Sequence, residues 1–280
     1  MFPHDSTIVR RPGRRRAALA AAALACLSAG SARAGDGDLT YDWKVDGAIT
    51  AAALAFWGGT QLFQSSLAPA SCHWCAPGPL DSDARDALRW GDTGAANTAS
   101  NLGAYAFMPL ATVGVMALAA HDESRLGEMA GNALVIAEAV ALAGSANQIV
   151  KLMVGRERPF VHALPPDQKP LTASPSDNNL SFYSGHTSFA FALAVSTGTV
   201  ASIRRYRWAP AIWGVGLAGA AAVGYLRIAA DKHYLTDVVT GAAAGGAFGF
   251  VVPYEFHRRS EIVTWAPAPG GGMLAVTARW

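Results

Sequence analysis

Charged residues are scarce in this sequence: lysine, arginine, aspartate and glutamate make up 15% of its 280 residues, whereas 51% are hydrophobic. Such a composition is too apolar for an ordinary soluble domain, and the length suits one domain, with or without a tail. The basic residues are dispersed apart from the N-terminus and two short clusters, and the formal net charge is +2. We therefore expect no nucleic-acid partner.

Cysteine is also rare, with three in the chain, and this limits the metal and disulfide chemistry that is available. Two of them stand in Cys72-His73-Trp74-Cys75, inside a loop rich in proline, glycine and serine. A zinc site needs two further ligands nearby, and His73 is the only obvious one. In an exported protein the pair is therefore predicted to form a local disulfide.

Residues 1–34 have the pattern of a bacterial export signal. A basic stretch precedes the apolar run from Ala17 to Leu27, and Ala32-Arg33-Ala34 is a typical cleavage site before Gly35. Two alternatives remain open, namely lipoprotein-type processing at Cys26 and an uncleaved signal anchor. Export predicts a place in the bacterial cell envelope.

Six apolar segments predict an all-α bundle of six helices without internal repeats. They are Ala48–Phe63, Tyr105–Ala120, Ala130–Val150, Ser184–Ile203, Ala209–Leu226 and Tyr234–Val252. After the signal we predict an N-terminal helix with a long polar loop over 35–103, a core over 104–254 and a tail over 255–280. The tail is expected to be loosely packed or to form an edge strand or hairpin.

The segment lengths favour helices embedded in a membrane over a soluble bundle, although alanine and glycine insert weakly. If the last five segments alternate in direction, their polar ends at Lys151, Arg227 and His233 lie on one side. The basic clusters at 204–207 and 257–259 then lie on the other side, which the positive-inside rule makes cytoplasmic. The polar ends would face the periplasm, provided that the first helix does not span the membrane.

Three polar islands interrupt the apolar sequence at helix ends. They are Lys151 with Arg158-Pro159, then Ser184-Gly185-His186, and then Arg227 with His233 and Asp237. Three cations and free amide groups at a helix start are suited to binding phosphate. Two histidines add catalysis, since one can attack phosphorus while the other protonates the leaving oxygen. On a helix, Asp237 would stand one turn after His233 and orient its imidazole.

These islands resemble the type 2 phosphatidic acid phosphatase (PAP2) family, which shares its fold with bacterial acid phosphatases and vanadium haloperoxidases. The family pattern is Lys-x6-Arg-Pro, then Pro-Ser-Gly-His, then Ser-Arg-x5-His-x3-Asp. The resemblance implies that His233 is a nucleophile forming a phosphohistidine, His186 the general acid and Asp237 the residue that orients His233. It further implies a phosphate site without metal or cofactor, formed by Lys151, Arg158, Ser184, Gly185 and Arg227.

The implied activity is hydrolysis of a phosphomonoester or diphosphate. The expected substrate is a lipid such as phosphatidate, a polyprenyl diphosphate or lipid A, and the membrane is the expected partner. Tyr183 and Leu226 replace the family's proline and serine, which puts rate or substrate choice in doubt rather than reaction type. The alternatives are a vanadate-dependent haloperoxidase and a non-catalytic phospholipid-binding protein, and the oligomeric state is left open.

Other polar residues are given weaker roles. His121, His162 and His257 are expected to be solvated. Glu138 and Asn147 lie within an apolar helix, where polar groups cost free energy unless they are paired. Asn147 stands one turn before Lys151 and is a candidate to support the site.

Overall fold

The protein is described by a computed structural model over residues 39–258, together with the backbone of 260–268 and 271–279. The predicted export signal lies outside these residues. The helices of ten residues or more are α1 (Val45–Leu62), α2 (Pro79–Leu88), α3 (Thr93–Leu102), α4 (Met108–Asp122), α5 (Met129–Val154), α6 (Gly185–Ile203), α7 (Ala209–Ala229) and α8 (Leu235–Val251). Shorter helical turns occupy Gln64–Leu67, Gly103–Phe107, Leu126–Glu128, Pro159–His162, Lys169–Leu171, Pro175–Asp177 and Val252–Phe256.

The all-α prediction is confirmed, and each of the six predicted segments corresponds to a helix, namely α1 and α4 to α8. Helix α3 was not predicted, because its sequence is polar and rich in alanine. It begins at Asp92, whose side chain accepts a hydrogen bond of 2.8 Å from the Ala95 amide. It then continues through the π-helical turn Gly103–Phe107 into α4. The predicted boundary between residues 103 and 104 therefore falls inside one helical stretch, Thr93–Asp122.

The helices place two sets of loops at opposite ends of the bundle. At one end, Asn147 near the end of α5 donates a 2.8 Å hydrogen bond to the Tyr183 carbonyl, just before α6. At the other end, Arg204 after α6 donates a 3.0 Å hydrogen bond to Asn132 in the second turn of α5. The three polar islands lie at the first end, as the alternation of segments predicted. We call it the site end, and the opposite one the far end.

Helix α6 lies at the centre of the bundle, and most of its residues are buried. Helix α8 packs against it through Gly241, Gly245 and Gly249, which repeat every four residues and so share one face. A Cβ atom on Gly245 would lie 2.1 Å from the Ser188 carbonyl oxygen of α6. The two backbones therefore approach each other closely, which small residues permit.

We expect Gly245→Ala to destabilise the bundle by about 1–3 kcal/mol, since the added methyl group forces α8 away from α6. Gly246→Ala is the matched control, because its Cβ would meet only Val195 Cγ2 at 3.8 Å. The measurement is thermal unfolding of both variants in the same detergent. Equal melting temperatures for the two variants would show that the close approach contributes nothing.

Four helical stretches are long and apolar enough to cross a membrane, which agrees with the predicted membrane-embedded fold. They are Thr93–Asp122, Leu126–Val154, Ala209–Ala229 and Leu235–Phe256. Helix α1 is not among them. It lies beside α5 and runs in the same direction, with Tyr41 against Gly131 and the Ala53 carbonyl accepting a 2.9 Å hydrogen bond from Ser145.

The tail forms a hairpin, which was one of the alternatives expected for it. Strands β1 (Ser260–Ala268) and β2 (Gly271–Arg279) pair antiparallel, with Ala268 opposite Gly271 and Ser260 opposite Arg279.

Candidate active site

All the predicted site residues lie at the site end of the bundle, and most are buried. They come from the last turn of α5 (Lys151), the loop after it (Arg158), the start of α6 (Ser184, Gly185, His186), the last turn of α7 (Arg227), the α7–α8 loop (His233) and the first turn of α8 (Asp237). Four helix ends and two loops thus bring together residues that are up to 86 positions apart in sequence.

His233 is held in one tautomer by the backbone. Its Nδ1 lies 2.8 Å from the Ser181 carbonyl oxygen, which can only accept, so Nδ1 carries the proton. Its Nε2 lies 3.2 Å from Arg158 Nη1 and accepts from it. The ring is 2% exposed, and burial together with Arg158, Arg227 and Lys151 holds the pKa of His233 well below its usual value. The imidazole is therefore neutral, with a lone pair on Nε2.

Asp237 lies beside His233 as predicted, but it does not accept the predicted hydrogen bond from the ring. The distance between its Oδ2 and His233 Nδ1 is 3.6 Å, because His233 precedes the helix start at Leu235 and the one-turn spacing does not apply. Oδ2 instead accepts from Ser181 Oγ at 2.6 Å and from the Tyr234 amide at 2.9 Å. Asp237 thus holds Ser181 in place, and the Ser181 carbonyl orients the His233 ring.

A second layer of charge surrounds Asp237 and was not predicted. Arg156, 1% exposed, donates to Asp237 Oδ1 at 2.5 Å and to Asp81 Oδ2 at 2.6 Å. Asp81 in turn accepts from the Thr236 amide at 2.9 Å. The guanidinium lies between the rings of Trp74 and Tyr234, at 3.7 and 4.3 Å from their centroids. Arg156 therefore joins the N-terminal loop to the start of α8.

Trp74 belongs to the loop that was predicted to carry a disulfide. Cys72 and Cys75 form this disulfide, with a Cα–Cα distance of 5.3 Å. The Trp74 carbonyl accepts a 3.0 Å hydrogen bond from the Glu157 amide, next to Arg156. The cross-linked loop thus covers the Arg156 side of the site.

Two of the three cations retain donors that are not used by the protein. Arg227 Nη1 donates to Asn97 and Ser100 of α3, both at 2.9 Å, and its buried Nε has no hydrogen-bond partner among the described residues. Lys151 is 9% exposed and makes no hydrogen bond or ion pair with the part of the chain that the structure describes. Both side chains can therefore donate to an anion.

Arg158 has an acidic neighbour that sequence reasoning missed. Its Nη2 lies 2.7 Å from Asp177 Oδ1, and its Nε donates to the Asp177 carbonyl at 2.9 Å. Burial alone raises the pKa of Asp177, but Arg158 and Lys151 outweigh it and hold the pKa below its usual value. Asp177 is thus ionised and lies where it competes with a bound anion for Arg158.

The turn before α6 is shaped by Gly185. A Cβ at this position would lie 2.8 Å from Asn147 Oδ1 and 3.6 Å from Lys151 Nζ, so a side chain does not fit. Ser184 is the N-cap of α6, and its hydroxyl accepts from the Thr187 hydroxyl at 2.8 Å. Asn147 lines this turn, which confirms its predicted supporting position.

His186 lies in a partly open part of the site, against α3 and the π-helical turn. Its Nε2 is 2.7 Å from Asn101 Oδ1 and its Nδ1 is 3.4 Å from the Tyr105 hydroxyl. The Tyr105 and His186 rings are in contact, with centroids 4.7 Å apart. The second histidine is thus positioned separately from His233, by groups that were not predicted.

The PAP2 superfamily sequence model matches residues 132–261, which confirms the resemblance inferred from the three motifs. Phospholipid phosphatase 2 of Homo sapiens is 32% identical over 126 residues, and that of Bos taurus is 30% identical over 125. Each alignment covers 38% of this chain and 44% of the relative, so the chain matches less than half of these proteins' length.

Among solved structures, a transmembrane PAP2 type phosphatidylglycerolphosphate phosphatase from Bacillus subtilis aligns with a TM-score of 0.43 and 18% identity. The alignment covers 75% of this chain and 94% of that one.

Proposed function

We propose that this chain, which carries the PAP2 superfamily match over residues 132–261, is a phosphatase that hydrolyses phosphomonoesters or diphosphates of lipids. The observation that carries the proposal is the state of His233. Its imidazole is neutral, its Nδ1 proton is bonded to a carbonyl, and its Nε2 lies 3.2 Å from Arg158. A nucleophilic nitrogen thus stands beside a guanidinium that can hold the phosphoryl group under attack.

The proposed first step transfers the phosphoryl group to His233. Substrate oxygens replace Nε2 as the acceptor for Arg158 Nη1 and also bind Lys151 and Arg227, which frees the lone pair on Nε2. Nε2 then attacks phosphorus, the N–P bond forms, and the bond between phosphorus and the leaving oxygen breaks. His186, protonated when the anionic substrate is bound, gives this proton to that oxygen and becomes neutral, so the leaving alcohol or phosphate carries one negative charge fewer.

The second step returns the enzyme to its starting state. Water loses a proton to His186 and attacks phosphorus, the N–P bond breaks, and inorganic phosphate leaves. His233 keeps its Nδ1 proton throughout, donated to the Ser181 carbonyl, and this hydrogen bond favours the positive charge on the phosphorylated ring. Asp237 and Arg156 act on this step only by holding the Ser181 and α8 segments in place.

A lipid substrate is supported by the position of the site at the ends of helices that can cross a membrane. The phospholipid phosphatases that match part of the chain support the same class of substrate.

We further propose that the site faces the periplasm of a bacterial envelope. Arg204, Arg207 and Arg258 lie at the far end, and the positive-inside rule makes that end cytoplasmic.

A phosphate-release panel tests the proposal. Purified protein in mixed micelles is given phosphatidate, a polyprenyl diphosphate and a soluble phosphomonoester, without added metal. We expect release from at least one lipid at a higher kcat/KM than from the soluble ester. Release from no substrate would contradict a phosphatase, and bromide oxidation on addition of vanadate would indicate the haloperoxidase alternative.

We expect Asp81→Asn to lower kcat about tenfold with little change in KM, since losing the Asp81 charge loosens Arg156 and, through it, Asp237. The measurement is steady-state phosphate release over a range of substrate concentrations. Asp83→Asn is the matched control, because Asp83 is exposed on the same helix, α2. A change in KM alone, or equal effects of both variants, would contradict a role for Asp81 in positioning the site.

A further inference from the structure

A second cluster of ligand-type side chains lies far from the site described above. It contains Asp46 at the start of α1, Glu138 in α5 and His257 after α8, whose ligand atoms all lie within 4.8 Å of one another. Glu138 precedes Lys151 by thirteen residues on the same helix, so the two side chains are about 20 Å apart along its axis. The cluster therefore takes no part in the phosphate site.

The sequence predicted a solvated His257, and the structure corrects this: the residue is 3% exposed, and Glu138 is 5% exposed. His257 lies under the first described residues of the chain, because the Thr40 amide donates to its carbonyl at 2.7 Å. His257 Nε2 and Glu138 Oε2 lie 3.3 Å apart, and neither has a hydrogen-bond partner among the described residues. Two deeply buried polar atoms thus face each other without a completed hydrogen bond.

The tautomer of His257 explains why the pair is incomplete. Its Nδ1 lies 2.9 Å from the Thr40 carbonyl oxygen, which can only accept, so the Nδ1 proton is used there. A neutral His257 then presents a lone pair on Nε2 to the lone pairs of a carboxylate. Such an arrangement is stable only with a proton or a metal cation between the two atoms.

Charge balance points the same way. Glu138 places a carboxylate inside an apolar bundle, where an isolated charge is costly, and Asp46 adds a second, partly buried carboxylate beside it. Within the described part of the chain, no lysine or arginine pairs with either carboxylate. A single proton on His257 would leave one negative charge, whereas one divalent cation neutralises both carboxylates.

We propose that Asp46, Glu138 and His257 bind one divalent metal ion, with zinc the best fit to one imidazole and two carboxylates. At metal–ligand distances of about 2.0–2.2 Å, two ligands of a tetrahedral ion lie about 3.3–3.5 Å apart, and the Nε2–Oε2 distance is 3.3 Å. Asp46 Oδ2 lies 3.9 Å from His257 Nδ1 and accepts a 2.6 Å hydrogen bond from the Asp42 amide, so Asp46 would exchange that bond for the ion when it joins the site.

The ion would have a structural role. It would tie the start of α1 and the segment after α8 to α5, and so join the first and the last helices of the bundle. Since three protein ligands leave a fourth position for water, the site is also open to exchange.

The test is metal stoichiometry in the full-length protein, purified in detergent with an affinity tag that contains no histidine. After chelator treatment the protein is loaded with Zn²⁺, and bound zinc is counted by elemental analysis. We expect one zinc per chain in the wild type and in His233→Ala, and at least tenfold weaker binding in Glu138→Gln and His257→Gln. His162→Gln is the matched control, since it alters another histidine–glutamate pair, 3.1 Å from Glu157 and near the surface.

Wild-type protein without stoichiometric zinc would overturn the proposal, as would full retention of zinc in both cluster variants. The Glu138–His257 contact would then be an ion pair with a doubly protonated ring. If the variants do not fold, metal binding by the wild-type protein alone tests the proposal. We expect Zn²⁺ to raise its melting temperature and Co²⁺ to give visible d–d bands that Zn²⁺ removes, and the absence of both effects would contradict the site.

Discussion

Replacing His233 by alanine is expected to lower phosphate release by at least about 10⁴-fold, because the variant has no atom that can form the N–P bond. The cations Lys151, Arg158 and Arg227 remain, so the variant should still bind substrate. The measurement is phosphate release under saturating substrate, together with a binding assay for a non-hydrolysable lipid phosphonate. We expect kcat to collapse while the dissociation constant of the phosphonate changes less than tenfold.

His162→Ala controls for the loss of a loop histidine, because His162 is half-exposed and its ion pair is with Glu157, away from the phosphate site. Its activity should equal that of the wild type. A His233→Ala enzyme that retains wild-type kcat would remove His233 from the reaction and leave the anion site without a nucleophile.

His186→Ala should lower kcat by about 10²–10⁴-fold for a lipid phosphate, whose alkoxide leaving group needs a proton. For an aryl phosphate with an acidic phenol, the leaving group departs without protonation, and the loss in phosphoryl transfer should be much smaller. The measurement is the single-turnover rate for both substrates in both enzymes. The ratio between the two losses isolates proton donation from any effect on folding.

Tyr105→Phe is the control for this series, because it keeps the ring against His186 and removes only the hydroxyl at 3.4 Å. We expect it to change both rates less than tenfold. Equal losses for alkyl and aryl substrates in His186→Ala would assign His186 to binding rather than to proton transfer.

The residues of the site that were predicted from the sequence belong to three short motifs, each within a few residues of chain. Lys151 and Arg158, the Ser184-Gly185-His186 turn, and Arg227 with His233 each stand at a helix end, and their sequence order is enough to identify them. The helices themselves were found from apolar runs, which is why α1 and α4 to α8 were predicted and polar α3 was not. Among these residues, only the predicted hydrogen bond between Asp237 and His233 is absent. That prediction assumed a helix from His233 onward, whereas the helix starts two residues later, at Leu235.

The remaining parts depend on contacts between distant segments. Asp81 reaches Arg156 across 75 residues, and Thr40 reaches His257 across 217. A sequence shows Asp81 as one of several acids in a polar loop, and His257 as one member of a basic cluster. Burial and partners, which decide their roles, follow only from the packing of α1, α2 and the N-terminal loop against the bundle.

The most direct test of the phosphatase account is to trap the phosphoenzyme. Enzyme mixed with ³²P-labelled lipid phosphate is quenched within one turnover, and the labelled peptide is mapped by mass spectrometry. We expect an alkali-stable, acid-labile phosphate on His233, and no label in His233→Ala. The labelled fraction should be largest under conditions in which hydrolysis of the phosphohistidine is the slow step. Turnover with no label on His233 at any quench time, or label on another residue, would contradict it.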